Sequence, residues 1–167
     1  MKLYNSKNKI NIKFRLNDEI IEKEVEPRLL LSDFLRYNCG KTGTHVGCEH
    51  GICGACTILF NERPIRSCLM LAAQIRDSEI FTIEGVANDN KYKDLREAFK
   101  KYHALQCGFC TPGFFITIVS ILNENVFYNE EDLREKLSGN ICRCTGYTGI
   151  ILAVSEVIKK RHEKEIK

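Results

Sequence analysis

The sequence predicts an α+β protein, a strand-rich first half followed by a helical second half. Three observations carry that expectation. Residues 9 to 25 alternate apolar and charged side chains with period two. Beyond residue 92 the apolar residues instead recur every three to four positions. The nine cysteines fall into two groups, one in each half: Cys39, Cys48, Cys53, Cys56 and Cys68, then Cys107, Cys110, Cys142 and Cys144. At 167 residues and 44% hydrophobic content the chain suits one ordinary domain or two small ones, with apolar side chains enough for a core.

In the first half, Ile10, Ile12, Phe14 and Leu16 alternate with Lys9, Asn11, Lys13 and Arg15, which gives a strand with one buried face. "LND" makes a turn, and Ile21, Lys23 and Val25 continue a second strand, so residues 9 to 25 form a hairpin. After Pro27, "LLLSDFLRYN" sets Leu31, Phe34 and Leu35 on one side of a short helix. Beyond the cysteine loop, "CTILFNERPIRSC" gives two short strands around Asn61 and Glu62, and "EIFTIEG" a last strand ending at Gly85.

The second half opens on the helical pattern "LREAFKKYHALQ". "TPGFFITIVSILNEN" follows, with Thr111 in place to cap and Pro112 at the first helical position. Residues 129 to 138 make a third helix between an Asn129 cap and a Gly139 terminator. From Thr148, Ile150, Ile151, Val154, Val157 and Ile158 form the apolar face of a fourth. Four helices are thus paired around two cysteine turns, "QCGFC" and "GNICRC". The polar stretch "VANDNKY", residues 86 to 92, marks the expected boundary between a unit of residues 1–85 and one of residues 86–167.

Several function classes fall away on composition. A net charge of +3, with Lys and Arg interleaved among Asp and Glu, gives no basic stripe, so no nucleic-acid partner is expected. "MKLYNSKNKINIKF" has no continuous apolar run, twin arginine or small-residue cleavage site, and nothing later approaches the roughly 20 apolar residues of a membrane span. No membrane partner is expected, and the cytoplasm is the expected compartment. The tail "KKRHEKEIK" reads as a solvated helix end.

In a reducing compartment, cysteines so spaced point to metal or redox chemistry rather than to disulfides. Cys48, Cys53 and Cys56 follow C-x4-C-x2-C, the plant-type 2Fe-2S spacing, with Cys68 as the distant fourth ligand. Gly47, Gly51 and Gly54 can take positive φ and leave no Cβ in the way, so the loop can turn its N–H groups toward an anionic cluster. In the second half, Cys107 with Cys110 and Cys142 with Cys144 form two pincers, each at a junction of helices whose N-termini favour thiolate charge. By themselves these four fit iron or structural zinc; the single spacer of "CRC" and the first set beside them weigh toward iron. Cys39 lies outside both sets and reads as a small buried hydrophobe. His45, His50, His103 and His162 lack paired spacing and read as surface or packing residues.

The segments "TGTHVGCEHGICGACTILFNERPIRSC", "QCGFCTPGF" and "GNICRCTGYTGI" resemble the signatures of the iron-sulfur small subunit of the xanthine dehydrogenase and molybdenum hydroxylase family, over nearly the whole chain. The resemblance implies a β-grasp ferredoxin-like N-terminal domain and a four-helix C-terminal domain. It also implies two 2Fe-2S clusters, a distal one on Cys48, Cys53, Cys56 and Cys68 and a proximal one on Cys107, Cys110, Cys142 and Cys144. Gln106 matches the glutamine that contacts the pterin of a partner's molybdopterin, and Cys144 the ligand nearest it. The expected partners are a molybdopterin-binding large subunit and an FAD-binding medium subunit, on separate polypeptides. The implied function is relay of electrons, one at a time, from molybdopterin toward FAD or an external acceptor. The implied substrate is a purine or other N-heterocycle, an aldehyde, carbon monoxide or an aromatic acyl-CoA oxidised on another chain; the alternative is a free-standing ferredoxin-like carrier. No catalytic residue is expected here. The sequence departs from the family at Asn61-Glu62, where an Asp-Gly turn is usual, and at Cys39, where an aliphatic residue is usual.

Overall fold

The computed structural model describes residues 8–165, so the start of the N-terminal segment and the last two residues of the tail lie outside the described residues. The alternating segment forms β1 (Ile10–Leu16) and β2 (Glu19–Val25), an antiparallel hairpin in which Ile10 faces Val25 and Leu16 faces Glu19. Ile12, Phe14 and Leu16 are buried and the charged residues between them face out. A short helix α1 (Leu31–Asp33) runs into a wider π-helical turn over Phe34–Asn38 and lays Leu31, Phe34 and Leu35 on the same core. Two more strands, β3 (Thr57–Phe60) and β4 (Arg63–Arg66), form a second hairpin, and β5 (Glu79–Phe81) runs between β1 and β3. The sheet order is β2-β1-β5-β3-β4, with β5 parallel to β1 and antiparallel to β3.

Both hairpins are closed by two residues of positive φ, Asn17 and Asp18 (+49° and +71°) and Asn61 and Glu62 (+47° and +66°). That is the primed turn whose twist matches the strands. The departure at Asn61-Glu62 therefore keeps the turn geometry an Asp-Gly pair would give.

The last strand ends earlier than its sequence pattern predicts. Pairing stops at Phe81, and Ile83–Val86 form the short helix α2 rather than more strand. The cause is remote in sequence: the Asn17 side chain accepts from the Thr82 N–H at 2.8 Å and donates to its hydroxyl at 2.9 Å, which takes the backbone out of the ladder.

Helix α3 spans Lys93–Lys101, not through Gln106 as its pattern predicts. His103 takes a left-handed φ of +49°, its N–H donates to Lys100 O, and the Ala104 N–H donates to Phe99 O, the paired bonds of a Schellman stop. This turn releases residues 104–110 from the helix to run as a cysteine loop. Helix α4 (Thr111–Asn123) starts one residue earlier than predicted: Cys110 holds the cap position, with no side-chain cap bond, and Pro112 sits in the first turn. Helix α5 (Glu130–Lys136) begins as predicted, Asn129 accepting from the Glu131 and Asp132 N–H groups while Asp132 accepts from Asn129. Helix α6 (Thr148–Glu165) closes the described chain.

A second core lies among α3 to α6, around Phe114, Ile116, Ile118, Leu133 and Val154. It takes in Val86 and Tyr92 from the polar stretch and reaches Leu59 on β3, against which α4 packs.

The tail is more anchored than its charge pattern predicts. Arg161 holds Asp94 with two bonds, Nε to Oδ2 and Nη2 to Oδ1, both 2.8 Å, and its Nη2 also donates to Lys91 O. His162 packs on Phe127 with ring centroids 5.3 Å apart. A solvated face does not bind an arginine in this way, so the reading of this tail is corrected for Arg161. Burial pushes the Asp94 carboxyl up, but the Arg161 fork and charge outweigh it and hold it below its ordinary range. A depressed folded value contributes stability that is fully present above the unfolded carboxyl range and is lost as pH falls through the folded one. Asp94→Asn is expected to cost about 1 kcal/mol or less at neutral pH, the pair being partly exposed. Chemical denaturation of both proteins at neutral and acid pH should show that difference closing in acid; a difference that stays constant would mean the charge is not its source.

Candidate functional site

The hairpin of β3 and β4 folds Cys68 back onto Cys56. Thr57 lies opposite Arg66, and Ser67 donates from its hydroxyl to Cys56 O at 2.8 Å. The loop before β3 wraps Cys48: the N–H groups of His50 and Cys53 each reach its Sγ at 3.4 Å. Those donors, that of Cys53 first, lower the Cys48 thiol to about 6, whereas burial, and then the Cys56 thiol, raise Cys68 to about 11. Gly51 and Gly54 have φ of +76° and +75°; Gly47 does not, but a Cβ there would stand 3.1 Å from Cys53 Sγ. The left-handed backbone expected of the three loop glycines is thus found at Gly51 and Gly54, and not at Gly47.

In the second set, Cys107 and Cys144 are exposed with their sulfurs 3.5 Å apart. Cys110 and Cys142 are more buried and in side-chain contact; burial, then Cys142, pushes Cys110 up to about 12. Burial would also raise Cys142, but the Thr145 hydroxyl at 3.1 Å and its N–H at 3.4 Å outweigh this and lower the thiol. The Tyr147 hydroxyl accepts from the Cys142 N–H at 3.0 Å, fixing the "CRC" turn from the start of α6.

All eight predicted thiols thus meet in pairs: Cys48 with Cys53, Cys56 with Cys68, Cys107 with Cys144, Cys110 with Cys142. Among the described residues no three Cys, His, Asp or Glu side chains converge where one ion could be held. Two pairs per set, with N–H groups aimed at sulfur, fit a two-iron cluster, in which each iron takes two thiolates; tetrahedral zinc would draw all four to one point. Cys39 stands apart, packed against the first core, its thiol raised by burial to about 11. Gln106 is exposed beside Cys107, on the segment that follows the Schellman stop.

The chain matches two family profiles, "2Fe-2S iron-sulfur cluster binding domain" over residues 14–80 and "2Fe-2S binding domain" over residues 82–155. It is 50% identical over 149 residues to the caffeine dehydrogenase subunit gamma of Pseudomonas sp. (strain CBB1), covering 87% of this chain and 89% of that one. The nicotinate dehydrogenase small FeS subunit of Eubacterium barkeri is 43% identical over 153 residues, covering 92% and 98%. The chain is an iron-sulfur small subunit of the molybdenum hydroxylase family. Its fold agrees with the crystal structure of quinoline 2-oxidoreductase from Pseudomonas putida 86, with a TM-score of 0.83 and 45% identity over 91% of this chain and 97% of that one.

An iron-sulfur small subunit of this family carries two 2Fe-2S clusters and serves as the electron-transfer part of an oxidoreductase complex of several subunits. When bound, each cluster accepts and releases one electron at a time. The chain supplies the thiols and the N–H donors that tune them. Among the described residues no helix is long and apolar enough to cross a membrane.

The sequence reading missed the groups around the thiols. Thr145 and Tyr147 lie in the segment "GNICRCTGYTGI", where nothing in the sequence marks them. His45 stacks on Phe109, ring centroids 4.8 Å apart, and its Nδ1 lies 2.7 Å from Phe109 O, joining the first cysteine loop to the second. Arg66 and Asn140 also cross between the loops. An apolar or polar letter beside a cysteine carries no signal of such a contact; only the fold brings the partners together.

Proposed function

We propose that Cys48, Cys53, Cys56 and Cys68 hold one 2Fe-2S cluster, distal to the substrate, and Cys107, Cys110, Cys142 and Cys144 the other. In this reading the chain relays electrons from a molybdopterin centre on a large subunit toward FAD on a medium subunit. The single observation that carries it is the meeting of eight thiols as four pairs in two sets. The exposed pair, Cys107 and Cys144, with exposed Gln106 beside it, supports the second set as the one facing the molybdopterin, with the Gln106 amide toward the pterin. The proposed division falls at residues 85/86, a few residues beyond the point between 80 and 82 where the two family matches meet. The substrate, oxidised on the large subunit, is an N-heterocyclic aromatic; caffeine, nicotinate and quinoline in the relatives' names support that class. The cytoplasm is the proposed compartment, because thiolate clusters assemble from reduced cysteines.

Anaerobically reconstituted chain should hold about four irons and four acid-labile sulfides. Metal analysis with zinc in place of iron, in a stably folded chain, would reject the assignment. Affinity purification of the complex from its native cell should bring a molybdopterin-containing and a flavin-containing chain; a chain that purifies alone with full clusters would instead be a free carrier.

A further inference from the structure

Asn140 lies between the two thiol sets and belongs to neither. It is 2% exposed. Its Nδ2 donates to Gly54 O at 3.1 Å, in the first cysteine loop, and its Oδ1 accepts from the Thr117 hydroxyl at 2.9 Å, on α4. The contacts continue on either side of it. The Ile141 N–H donates to Cys53 O at 2.9 Å, and Arg66 spans from Thr57 Oγ1 at 2.6 Å to Gly139 O at 2.5 Å. Nothing can be inserted at this seam: a Cβ on Gly54 would stand 2.6 Å from both Asn140 Nδ2 and Gly139 O. From Cys53 to Cys142 the bonded route is therefore one carbonyl, one hydrogen bond to Ile141, and one residue of backbone.

We propose that Asn140 is a positioning residue for electron exchange between the two clusters. It locks the loop bearing Cys53 against the loop bearing Cys142, so that the bond from Ile141 to Cys53 stays closed and the clusters stay at one separation. The inference rests on the ligand assignment above and adds to it a residue that binds no iron. The exchange itself moves one electron: one cluster is oxidised by one, the other reduced by one, with no protein bond made or broken and no proton moved. The residue type follows from the two contacts. An amide donates to a carbonyl and accepts from a hydroxyl at once; a carboxylate cannot donate to Gly54, and an apolar side chain would give up both ties, leaving Gly54 O to Thr57 and the Thr117 hydroxyl to Gly113 O, so that nothing but Arg66 and the Ile141 bond would join the two loops here.

The test uses the full chain with both clusters loaded, anaerobically, as wild type, Asn140→Ala and Thr117→Val. Iron content comes first, since a wild-type chain lacking about four irons would refute the ligand assignment and leave this inference without its premise. One electron per chain is then delivered by a light-activated reductant and its redistribution followed by rapid-freeze EPR, with hydrogen exchange of the Ile141 amide measured in parallel. Asn140→Ala should slow redistribution and speed Ile141 exchange, each by about tenfold, the scale on which supporting contacts around metal ligands act. Thr117→Val loses a buried hydrogen bond too but keeps the bond from Asn140 to Gly54, so it should lose thermal stability while redistributing within about twofold of wild type. Wild-type redistribution in Asn140→Ala overturns the proposal, and so does equal slowing in Thr117→Val, which would reduce the seam to general packing. Should Asn140→Ala fail to load iron, Asn140→Asp keeps the volume and the acceptor for Thr117 while removing the donor to Gly54, and the same two outcomes decide.

Discussion

Replacing Cys68 with serine is expected to halve the bound iron, from about four to about two per chain, and to remove one of the two cluster EPR signals. Cys68 is buried, meets Cys56, and is returned to it by the β3–β4 hairpin, whose own bonds do not depend on metal. The hairpin should therefore survive the substitution while one iron loses a thiolate. The second set draws on a different core, through α4 and α6, and its thiols pair only among themselves. Its cluster should remain, with an unchanged EPR spectrum. Because cluster binding is coupled to folding of the loop that holds it, the loop from Gly47 to Cys56 should become open to protease while the helical half resists. Iron analysis, EPR and limited proteolysis on one anaerobic preparation check all three. Four retained irons, or the loss of both signals with the helices intact, would show that the eight thiols are divided wrongly.

Much of this fold is legible in the sequence because it is set locally. The alternation in Ile10 to Leu16, the left-handed pairs that close both hairpins, and the Asn129 cap with Asp132 three residues on each draw on neighbours in the chain. The proposed iron ligands of the first loop stand out in the sequence for the same reason: C-x4-C-x2-C is a local constraint on how a loop can wrap a cluster. The errors fall where distant residues decide. "EIFTIEG" alternates well enough to be a strand, but Asn17, 65 residues away, captures Thr82 and ends it. "LREAFKKYHALQ" keeps a helical pattern through residues that the left-handed His103 takes out of the helix. The seam between the cysteine loops leaves no trace in the sequence because its partners lie 73 and 86 residues apart, Arg66 with Gly139 and Asn140 with Gly54. Arg161 reads as one more cation in a charged tail because Asp94, 67 residues earlier, gives no local sign of being its partner.

The same seam makes Gly113→Ala the second large effect. Gly113 is buried in the first turn of α4, where a helix ordinarily gains about 1 kcal/mol from alanine over glycine. Here the added Cβ would stand 2.1 Å from Gly54 O and 3.0 Å from Ala55 Cα. Both are backbone atoms, and Gly54 O is already fixed by the Thr57 hydroxyl at 2.5 Å and by Asn140. No side chain can swing away, so α4 or the first cysteine loop must shift by about an ångström. Overpacking of this kind costs about 1 to 3 kcal/mol or more, and rigid neighbours put this site at the upper end. Clash exceeds propensity, and a net loss of about 2 kcal/mol is expected. For a chain of this size that lowers the thermal midpoint by about 4 to 8 °C. Gly40→Ala is the control: it has φ of +69° but nothing within 4 Å of the added Cβ, so it bears only the left-handed strain of about 1 to 2 kcal/mol, with no displacement of α4. The two are separated by hydrogen exchange at Ile141, which should quicken in Gly113→Ala and stay at the wild-type rate in Gly40→Ala. A Gly113→Ala chain that melts at or above the wild-type midpoint, with Ile141 still protected, would mean that α4 and the first cysteine loop are not in contact as described.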